Sequence, residues 1–298
     1  MNTSTRRTAR LPIVMALLGL ATIAQADPVE RTVPADARGE VEIVNVAGDV
    51  QVRGWDRAEV QVHADLGDGV EKLDVQSSRG RTSINVIARN GRNSSSGSDL
   101  IVEVPRDSTL IVKTVSADQT IAAVRGAQRL QAVSGSINTQ VWGQEVAIKT
   151  ISGEVTVAGQ KVAGRTAVNT VSGDVNLSDI AGELTLETVT GDMGVRMPTL
   201  SRARIQTTNG ELRLRAALTA DATLDAEAIN GDLSFLLQAP VNAEFDVETF
   251  NGEIDNCFGP KPVRTREFAP GNALRFKEGN GGARVRVKTL NGGVEICR

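Results

Sequence analysis

Aromatic and imidazole side chains are scarce in this chain of 298 residues. It contains no tyrosine, one histidine, two tryptophans and six phenylalanines. A single histidine excludes a histidine-rich metal site and most catalytic triads, which use imidazole as the base. The side chains that catalysis uses most often are therefore missing, and we predict no catalytic residue, no cofactor and no enzymatic activity.

An excess of basic residues is also absent. The chain has 33 lysines and arginines against 36 aspartates and glutamates, a formal net charge of −3. Nucleic-acid-binding proteins carry clustered positive charge that neutralises phosphates. The charge balance therefore excludes a nucleic-acid partner.

One apolar run, residues 11–24, follows three arginines and ends in Ala24-Gln25-Ala26. This order is typical of a secretory signal peptide, and the run is shorter than the roughly 20 residues of a membrane span. We predict a signal peptide over residues 1–26. Its removal leaves 30 basic against 36 acidic residues, a net charge of −6. The mature chain should not span the membrane, and should be periplasmic, secreted or on the cell surface.

A short phrase ending in glycine repeats along the chain with steps of 18, 18, 20, 18, 19, 21, 21 and 40 residues. A period near 19 with alternating apolar residues indicates stacked β-coils, since helical repeats are longer. The repeat predicts tight turns at Gly135, Gly153, Gly173, Gly191, Gly210, Gly231, Gly252 and Gly292.

Positions counted from this glycine predict which side chains face inward. Apolar residues stand seven and five positions before it, as in Val146 and Ile148, and two and four positions after it, as in Val155 and Val157. Steps of two are typical of half-buried strands. A threonine usually stands three positions before the glycine. It has the same parity as these apolar positions, so its side chain should face inward, which argues against a solvent-facing, ice-binding row of threonines.

These patterns predict an all-β fold, a right-handed parallel β-helix (β-solenoid) with coils of about 18–21 residues. We expect one domain over residues 27–298. Residues 27–112 would form irregular N-terminal coils and a cap, and residues 113–298 regular coils with a loop insertion at 259–282.

The two cysteines occupy one phase of the repeat, because Cys257 and Cys297 each follow a turn glycine by five residues. On adjacent coils their Cα atoms would be about 4.8 Å apart, within disulfide range. The 40-residue step could instead contain an extra coil, which would forbid the bond. Three prolines between residues 259 and 282 favour a loop, so we predict a Cys257–Cys297 disulfide.

An acidic residue follows the glycine in six coils. Stacked carboxylates repel one another unless water, arginine or a cation screens them. The row is a weak candidate for a cation-binding stripe, although a solvated turn position explains it better. Five arginines within two coils are a second weak candidate, for an anionic glycan or lipid headgroup. The acidic row comprises Glu154, Asp174, Asp192, Glu211, Asp232 and Glu253, and the arginines are Arg196, Arg202, Arg204, Arg213 and Arg215.

The phrase Val33-Pro34, the segment Val46–Trp55 and the serial Thr-Val-Ser-Gly-Asp-Val units resemble a bacterial putative-adhesin family of β-strand-repeat, exported envelope proteins of unknown function. The resemblance covers nearly all of the mature chain. It implies a β-solenoid at the cell envelope and supplies no catalytic residues.

The function predicted from the sequence is a non-enzymatic binding or scaffold module, whose partner is an envelope protein or glycan. Two alternatives stay open. One is a glycan-cleaving β-helix enzyme, which would need a cleft with carboxylates and arginine or lysine. The other is an envelope-stress signalling partner, which neighbouring genes for a sigma factor or its regulator would favour.

Overall fold

The computed structural model describes residues 28–89, 97–265 and 270–298, and the predicted signal peptide lies outside these ranges. Over the described ranges the chain forms strands and no helix, which confirms the all-β prediction. The first twelve strands are β1 (Val29–Pro34), β2 (Glu40–Trp55), β3 (Glu59–Asp65), β4 (Val70–Ser78), β5 (Arg81–Ala88), β6 (Asp99–Pro105), β7 (Thr109–Ala122), β8 (Gln128–Gln131), β9 (Ile137–Val141), β10 (Val146–Ser152), β11 (Val155–Gly159) and β12 (Ala163–Ser172).

The other eleven strands follow in chain order. They are β13 (Val175–Ser178), β14 (Ala181–Thr190), β15 (Met193–Asn209), β16 (Leu212–Asn230), β17 (Leu233–Leu237), β18 (Ala243–Asn251), β19 (Ile254–Asn256), β20 (Val263–Arg264), β21 (Asn272–Glu278), β22 (Ala283–Asn291) and β23 (Val294–Cys297).

All strands belong to one large, mostly parallel sheet, because each repeat pairs in register with the next. Segments before the turn glycines pair with one another, as in β10 with β12, and segments after them do the same, as in β11 with β13. We call one repeat, with the segments on both sides of its turn glycine, a rung. Equivalent positions of successive rungs therefore form straight rows along the molecule.

The core consists of the rows that the repeat predicts to face inward. Ile148 and Val157 are fully buried, and so are their equivalents in neighbouring rungs. The threonine row is also buried, at 3–7% exposure from Thr114 to Thr289. The alternation of inward and outward side chains therefore holds on both sides of the turn.

Chain order and spatial order differ near the C-terminus. β22 lies between β16 and β18, and β23 lies between β17 and β19, so the last rung in sequence is inserted between two earlier ones. The outward side chains give a physical reason, since like charges directly opposite on neighbouring strands are destabilising. β16 carries Asp225 and Glu227, β18 carries Glu244, Asp246 and Glu248, and the inserted β22 carries Arg284, Arg286 and Lys288.

The segment 259–282, predicted as a loop insertion, contains two strands. β21 pairs antiparallel with β18 and covers the edge that β18 would otherwise expose. An exposed strand edge is a template for aggregation, so this cover has a protective role. Phe276 of β21 stacks on Phe245 of β18 with ring centroids 4.5 Å apart. At the other end of the described sheet, β1 and β4 make the corresponding antiparallel pairings, with β3 and β5.

The turn glycines form a column in which each backbone lies directly on the next. Gly173 has φ of 136°, a conformation that disfavours side chains, and a Cβ there would lie 2.2 Å from the carbonyl oxygen of Gly153. The backbone ladder continues through the turn, where the Gly173 amide donates to the Thr190 carbonyl oxygen at 3.1 Å. Glycine allows this spacing in successive rungs from Gly135 onward, and the rung before Gly135 carries Ala117 in the column.

Replacing Gly173 by alanine tests this column. We expect the substitution to lower the free energy of unfolding by at least about 3 kcal/mol more than Gly259→Ala does, because strained core positions give the largest losses. Gly259 is a matched control, since its φ of 115° is also positive but a Cβ there would meet nothing within 4 Å. Its backbone cost alone is about 1–2 kcal/mol. Equal losses in urea denaturation would contradict the steric explanation.

Candidate functional site

The acidic row after the turn glycines lies on the surface and bonds to the backbone of the neighbouring rung. The Asp192 amide donates to Asp174 Oδ1 at 2.9 Å, and the Glu211 amide donates to Asp192 Oδ1 at 2.9 Å. Asp232 Oδ1 accepts from the Gly293 amide at 2.7 Å. These contacts give the aspartates a structural role at the turn, which the sequence pattern did not reveal.

This geometry gives no support to the predicted cation stripe. The stripe comprises Glu154, Asp174, Asp192, Glu211, Asp232 and Glu253. Across the described ranges, no group of three or more histidine, cysteine, aspartate or glutamate side chains could hold a metal ion.

A second row, two positions before each turn glycine, is apolar and faces outward. Nine of its ten side chains are large hydrophobic residues that are each 41–53% exposed. We call this row the apolar ridge. In spatial order it comprises Val46, Val115, Val133, Ile151, Val171, Val189, Thr208, Ile229, Leu290 and Phe250. Sequence reasoning missed it, although its parity is opposite to that of the buried threonines, and that parity was the available signal.

A polar row runs beside the apolar ridge, two positions earlier in each rung, and we call it the flanking row. The surface between the two rows is concave in two places. One groove of about 300 Å³ is lined by Lys113, Lys149 and Ile151, among others. The other, of about 510 Å³, is lined by Glu187, Glu227 and Ile229, among others.

A charged face lies farther from the turn glycines, in the C-terminal third. Rungs of opposite sign alternate there, so acidic side chains meet basic ones across every strand pair. Arg286 contacts Asp225 at 3.5 Å, and Arg275 contacts Asp246 at 2.8 Å. The hydrogen bond and charge of Asp246 raise the pKa of Arg275. A groove of about 740 Å³ opens on this face, which we call the charged groove.

The charged groove combines exposed ionic side chains with the partly exposed ring of Phe276, whereas Phe245 is buried in the core. The lining of the groove includes Asp225, Asp246, Arg275, Arg284, Phe245 and Phe276. Arg284 is exposed and takes part in none of the ion pairs found among the described residues. Its guanidinium presents five donors in a planar fork that suits carboxylate or phosphate groups. The groove can therefore bind a polar or anionic ligand without breaking an existing contact of Arg284.

The five arginines that the sequence suggested as one cluster lie on two different segments of their rungs. Arg202 and Arg204 precede their turn glycine, whereas Arg196, Arg213 and Arg215 follow one. Arg202 also contacts Glu183 at 3.6 Å, and Arg196 contacts Asp179 at 3.9 Å. The arrangement does not bring the five together into a single anion site.

Two acidic groups near the N-terminal end have shifted protonation equilibria. Hydrogen bonds from Lys113 and Arg81 hold the pKa of Glu42 below its usual 4.5. Burial, together with the negative charges of Asp99 and Asp118, raises the pKa of Asp49. Glu42 is therefore a stabilising ion-pair centre that joins three strands, β2, β5 and β7.

Cys257 and Cys297 form a disulfide, with Cα atoms 4.8 Å apart. The bond joins the residue after β19 to the end of β23, two segments that pair in parallel. It therefore closes the loop that contains β20, β21 and β22, and it secures the inserted rung.

A family model described as Toastrack DUF4097 matches residues 40–296. The chain belongs to the Toastrack family. The match begins at β2 and ends within β23, so the family assignment covers most of the described sheet. No curated protein matches the chain. The Toastrack assignment agrees with the resemblance found in the repeats, and it adds no catalytic residues.

Several crystal structures are similar over most of their length. A putative adhesin from Parabacteroides distasonis ATCC 8503 has 11% identity and a TM-score of 0.46, covering 91% of this chain and 97% of that one. A putative adhesin from Bacteroides fragilis NCTC 9343 has 10% identity and a TM-score of 0.40, covering 91% and 98%. A putative lipid binding protein from the same Parabacteroides strain has 11% identity and a TM-score of 0.34, covering 90% and 96%. Scores of this size say nothing about what the Toastrack chain binds.

Across its described residues, the structure contains no helix that is long and apolar enough to cross a membrane.

Removing the disulfide should weaken the C-terminal rungs. For the 40-residue separation of the two cysteines, the chain-entropy model gives a loss of about 4 kcal/mol in the free energy of unfolding. We expect this loss in the double variant Cys257→Ser/Cys297→Ser, measured by chemical denaturation. Reductant should bring the parent protein to the same stability and leave the variant unchanged. A variant as stable as the parent would be inconsistent with this role.

The ion pairs of Glu42 should make stability depend on pH. A lowered pKa in the folded state adds stability above the unfolded value, and this stability disappears as the pH falls through the folded pKa. Glu42→Gln should therefore be less stable than the parent at neutral pH, and the difference should vanish well below pH 4.5. Glu71→Gln, at an exposed glutamate, is the control and should show no such difference. A pH-independent difference for Glu42→Gln would refute the ionic origin.

Proposed function

We propose that the protein is an exported, non-enzymatic binding or scaffold module of the bacterial cell envelope. Its rungs would form a right-handed parallel β-solenoid with coils of about 18–21 residues, as parallel crossovers strongly prefer that hand. Residues 27–298 would be one domain. The predicted signal peptide supports export, and so does the disulfide, because disulfides persist in oxidising compartments.

The observation that carries a binding role is the charged groove. Rungs stacked in register hold its side chains on a rigid sheet, and rigid elements lose little entropy when a partner binds. Exposed arginines offer ionic contact to an envelope protein or glycan, and the partly exposed Phe276 offers apolar contact. Membership of the Toastrack family agrees with an adhesin-like role.

Affinity capture from intact envelopes tests this proposal, with protein and glycan partners both scored. We expect the parent protein to retain a partner and Arg284→Ala to retain at least about tenfold less, since a charge-assisted contact is lost. Arg129→Ala is the matched control, because Arg129 is also exposed and lies on β8, far from the groove. Equal retention by the two variants would rule out the charged groove as the binding site.

A glycan-cleaving enzyme is the second candidate, because the charged groove does bring carboxylates and arginines together. Asp225 and Asp246 are each paired with an arginine, which favours binding over acid and base catalysis. Incubating the protein with isolated envelope glycan separates the two functions. We expect no oligosaccharide release. Release that is lost in Asp225→Asn or Asp246→Asn would establish the enzymatic function instead.

A further inference from the structure

We propose that the apolar ridge is a self-association surface, on which a second copy of this chain binds in antiparallel orientation with the two-fold axis at Val171. This inference does not depend on the charged groove, which lies on a different part of the rungs. It predicts a symmetric dimer of the two rung stacks.

The exposed hydrophobic side chains of the ridge indicate that a partner covers them. Val171 is 48% exposed, and the large hydrophobic side chains of eight other rungs are comparably exposed along the same line. Single exposed apolar residues are normal on a protein surface, but continuous apolar patches mark interaction sites. The ridge from Val46 to Leu290 spans nine rungs, about 38 Å at 4.8 Å per rung.

The flanking row shows what the partner is, because its charges differ in sign over the three rungs on each side of Val171. Lysines precede the Val171 rung and glutamates follow it, before Lys288 and Glu248 complete the row. In spatial order from the Val115 rung, the row reads Lys113, Gln131, Lys149, Asn169, Glu187, Gln206 and Glu227. Asn169 is in the Val171 rung and stands at the centre of this sequence.

A two-fold axis parallel to the strands at Val171 reverses the order of the rungs in the second copy. Lys149 then faces Glu187 of the other copy, and Lys113 faces Glu227. Gln131 meets Gln206, and Asn169 meets its own equivalent. Each Lys–Glu pair occurs twice, so the dimer gains four opposite-charge pairs beside the ridge. Lys149 and Glu187 take part in none of the ion pairs of the described residues, so both are available. Lys113 already contacts Glu42 at 2.8 Å, and in the dimer it would share its charge between Glu42 and Glu227.

The charge pattern also selects one register. Moving the second copy by one rung in either direction removes every Lys–Glu pair. One of these shifts places Lys113 opposite Lys288, and like-charge contacts oppose association. In the selected register the apolar side chains of the two ridges also face one another, with Val115 against Ile229 and Ile151 against Val189. A two-rung shift would pair Lys149 with Glu227 and Lys113 with Glu248, but it places Glu187 opposite its own equivalent. The alignment at Val171 is the one that gives four Lys–Glu pairs with no like-charge contact.

The positions of the two grooves agree with this symmetry. The groove lined by Lys113 and Lys149 and the groove lined by Glu187 and Glu227 lie on opposite sides of the Val171 rung. The two-fold axis brings each groove opposite the other. A contact about 38 Å long and two rows, or about 13 Å, wide buries roughly 1,000 Å² over both copies, about the minimum for a specific interface.

Sedimentation velocity of the purified full chain tests the ridge. We expect a dimer, and we expect Val171→Arg to raise the dimer dissociation constant by at least about 30-fold, as for a central interface residue. Val162→Arg is the matched control, because Val162 is 52% exposed but lies off the ridge, and it should remain dimeric. Circular dichroism should show that both variants keep the fold.

Charge reversal tests the alignment. Lys149→Glu and Glu187→Lys should each weaken the dimer on the order of tenfold, because each places like charges opposite one another. The double variant should dimerise like the parent, and mixing the two single variants should give heterodimers, since both pairs are then complementary.

Three results would overturn the proposal. They are a parent protein that is monomeric at about 100 µM, a dimer that Val171→Arg leaves intact, and a double variant that is no better than either single one. A monomer whose ridge binds phosphatidylcholine vesicles would assign the surface to lipid instead. None of these results bears on Arg284, so failure here is separate from failure of the proposed envelope function.

Discussion

The close backbone contact at the turn glycines is the constraint on which the rest of the structure depends. Each glycine lies against the carbonyl group of the rung below, as Gly210 lies against Gly191, and this contact leaves no space for a side chain. The contact fixes the phase of each rung relative to its neighbours. Because strand side chains alternate between faces, a fixed phase aligns every later and earlier position into rows. The aspartate hydrogen bonds and the asparagine contacts, such as Asn230 to Asn209 at 2.8 Å, follow from that alignment.

Much of this arrangement could be predicted from the sequence. Period-two alternation places Ile148 and Val157 inside, and the fixed distance from the glycine places the threonines inside with them. The position of β22 could not be predicted from local patterns, because it depends on which distant strands Arg284 and Arg286 meet. The role of Asp174 was also hidden, since its acceptor contact involves the backbone of the next rung. A search for alternating charge among outward positions would have indicated the inserted strand.

The two candidate surfaces use the same rows in different ways. At the charged groove, acidic and basic rungs alternate and satisfy one another within the chain, which leaves Arg284 available for a ligand. Along the apolar ridge, the flanking row carries lysines on one side of the Val171 rung and glutamates over the three rungs on the other side. The chain leaves Lys149 and Glu187 without an ion pair among the described residues. A second copy in antiparallel orientation pairs them. A dimer formed through the ridge would leave both charged grooves accessible, one on each copy.

Distances between spin labels in the associated protein test this account most directly, because they report rung spacing, register and orientation together. Single labels at Asn138, Asn176 and Arg213 would occupy equivalent exposed positions two rungs before, within and two rungs after the Val171 rung. The account predicts equal distances between copies at Asn138 and Arg213, both larger than at Asn176. The reason is that these two label pairs are also separated by about 19 Å along the rung stack, a component that combines in quadrature with the lateral separation measured at Asn176. Similar distances at all three positions, or no measurable coupling, would contradict it.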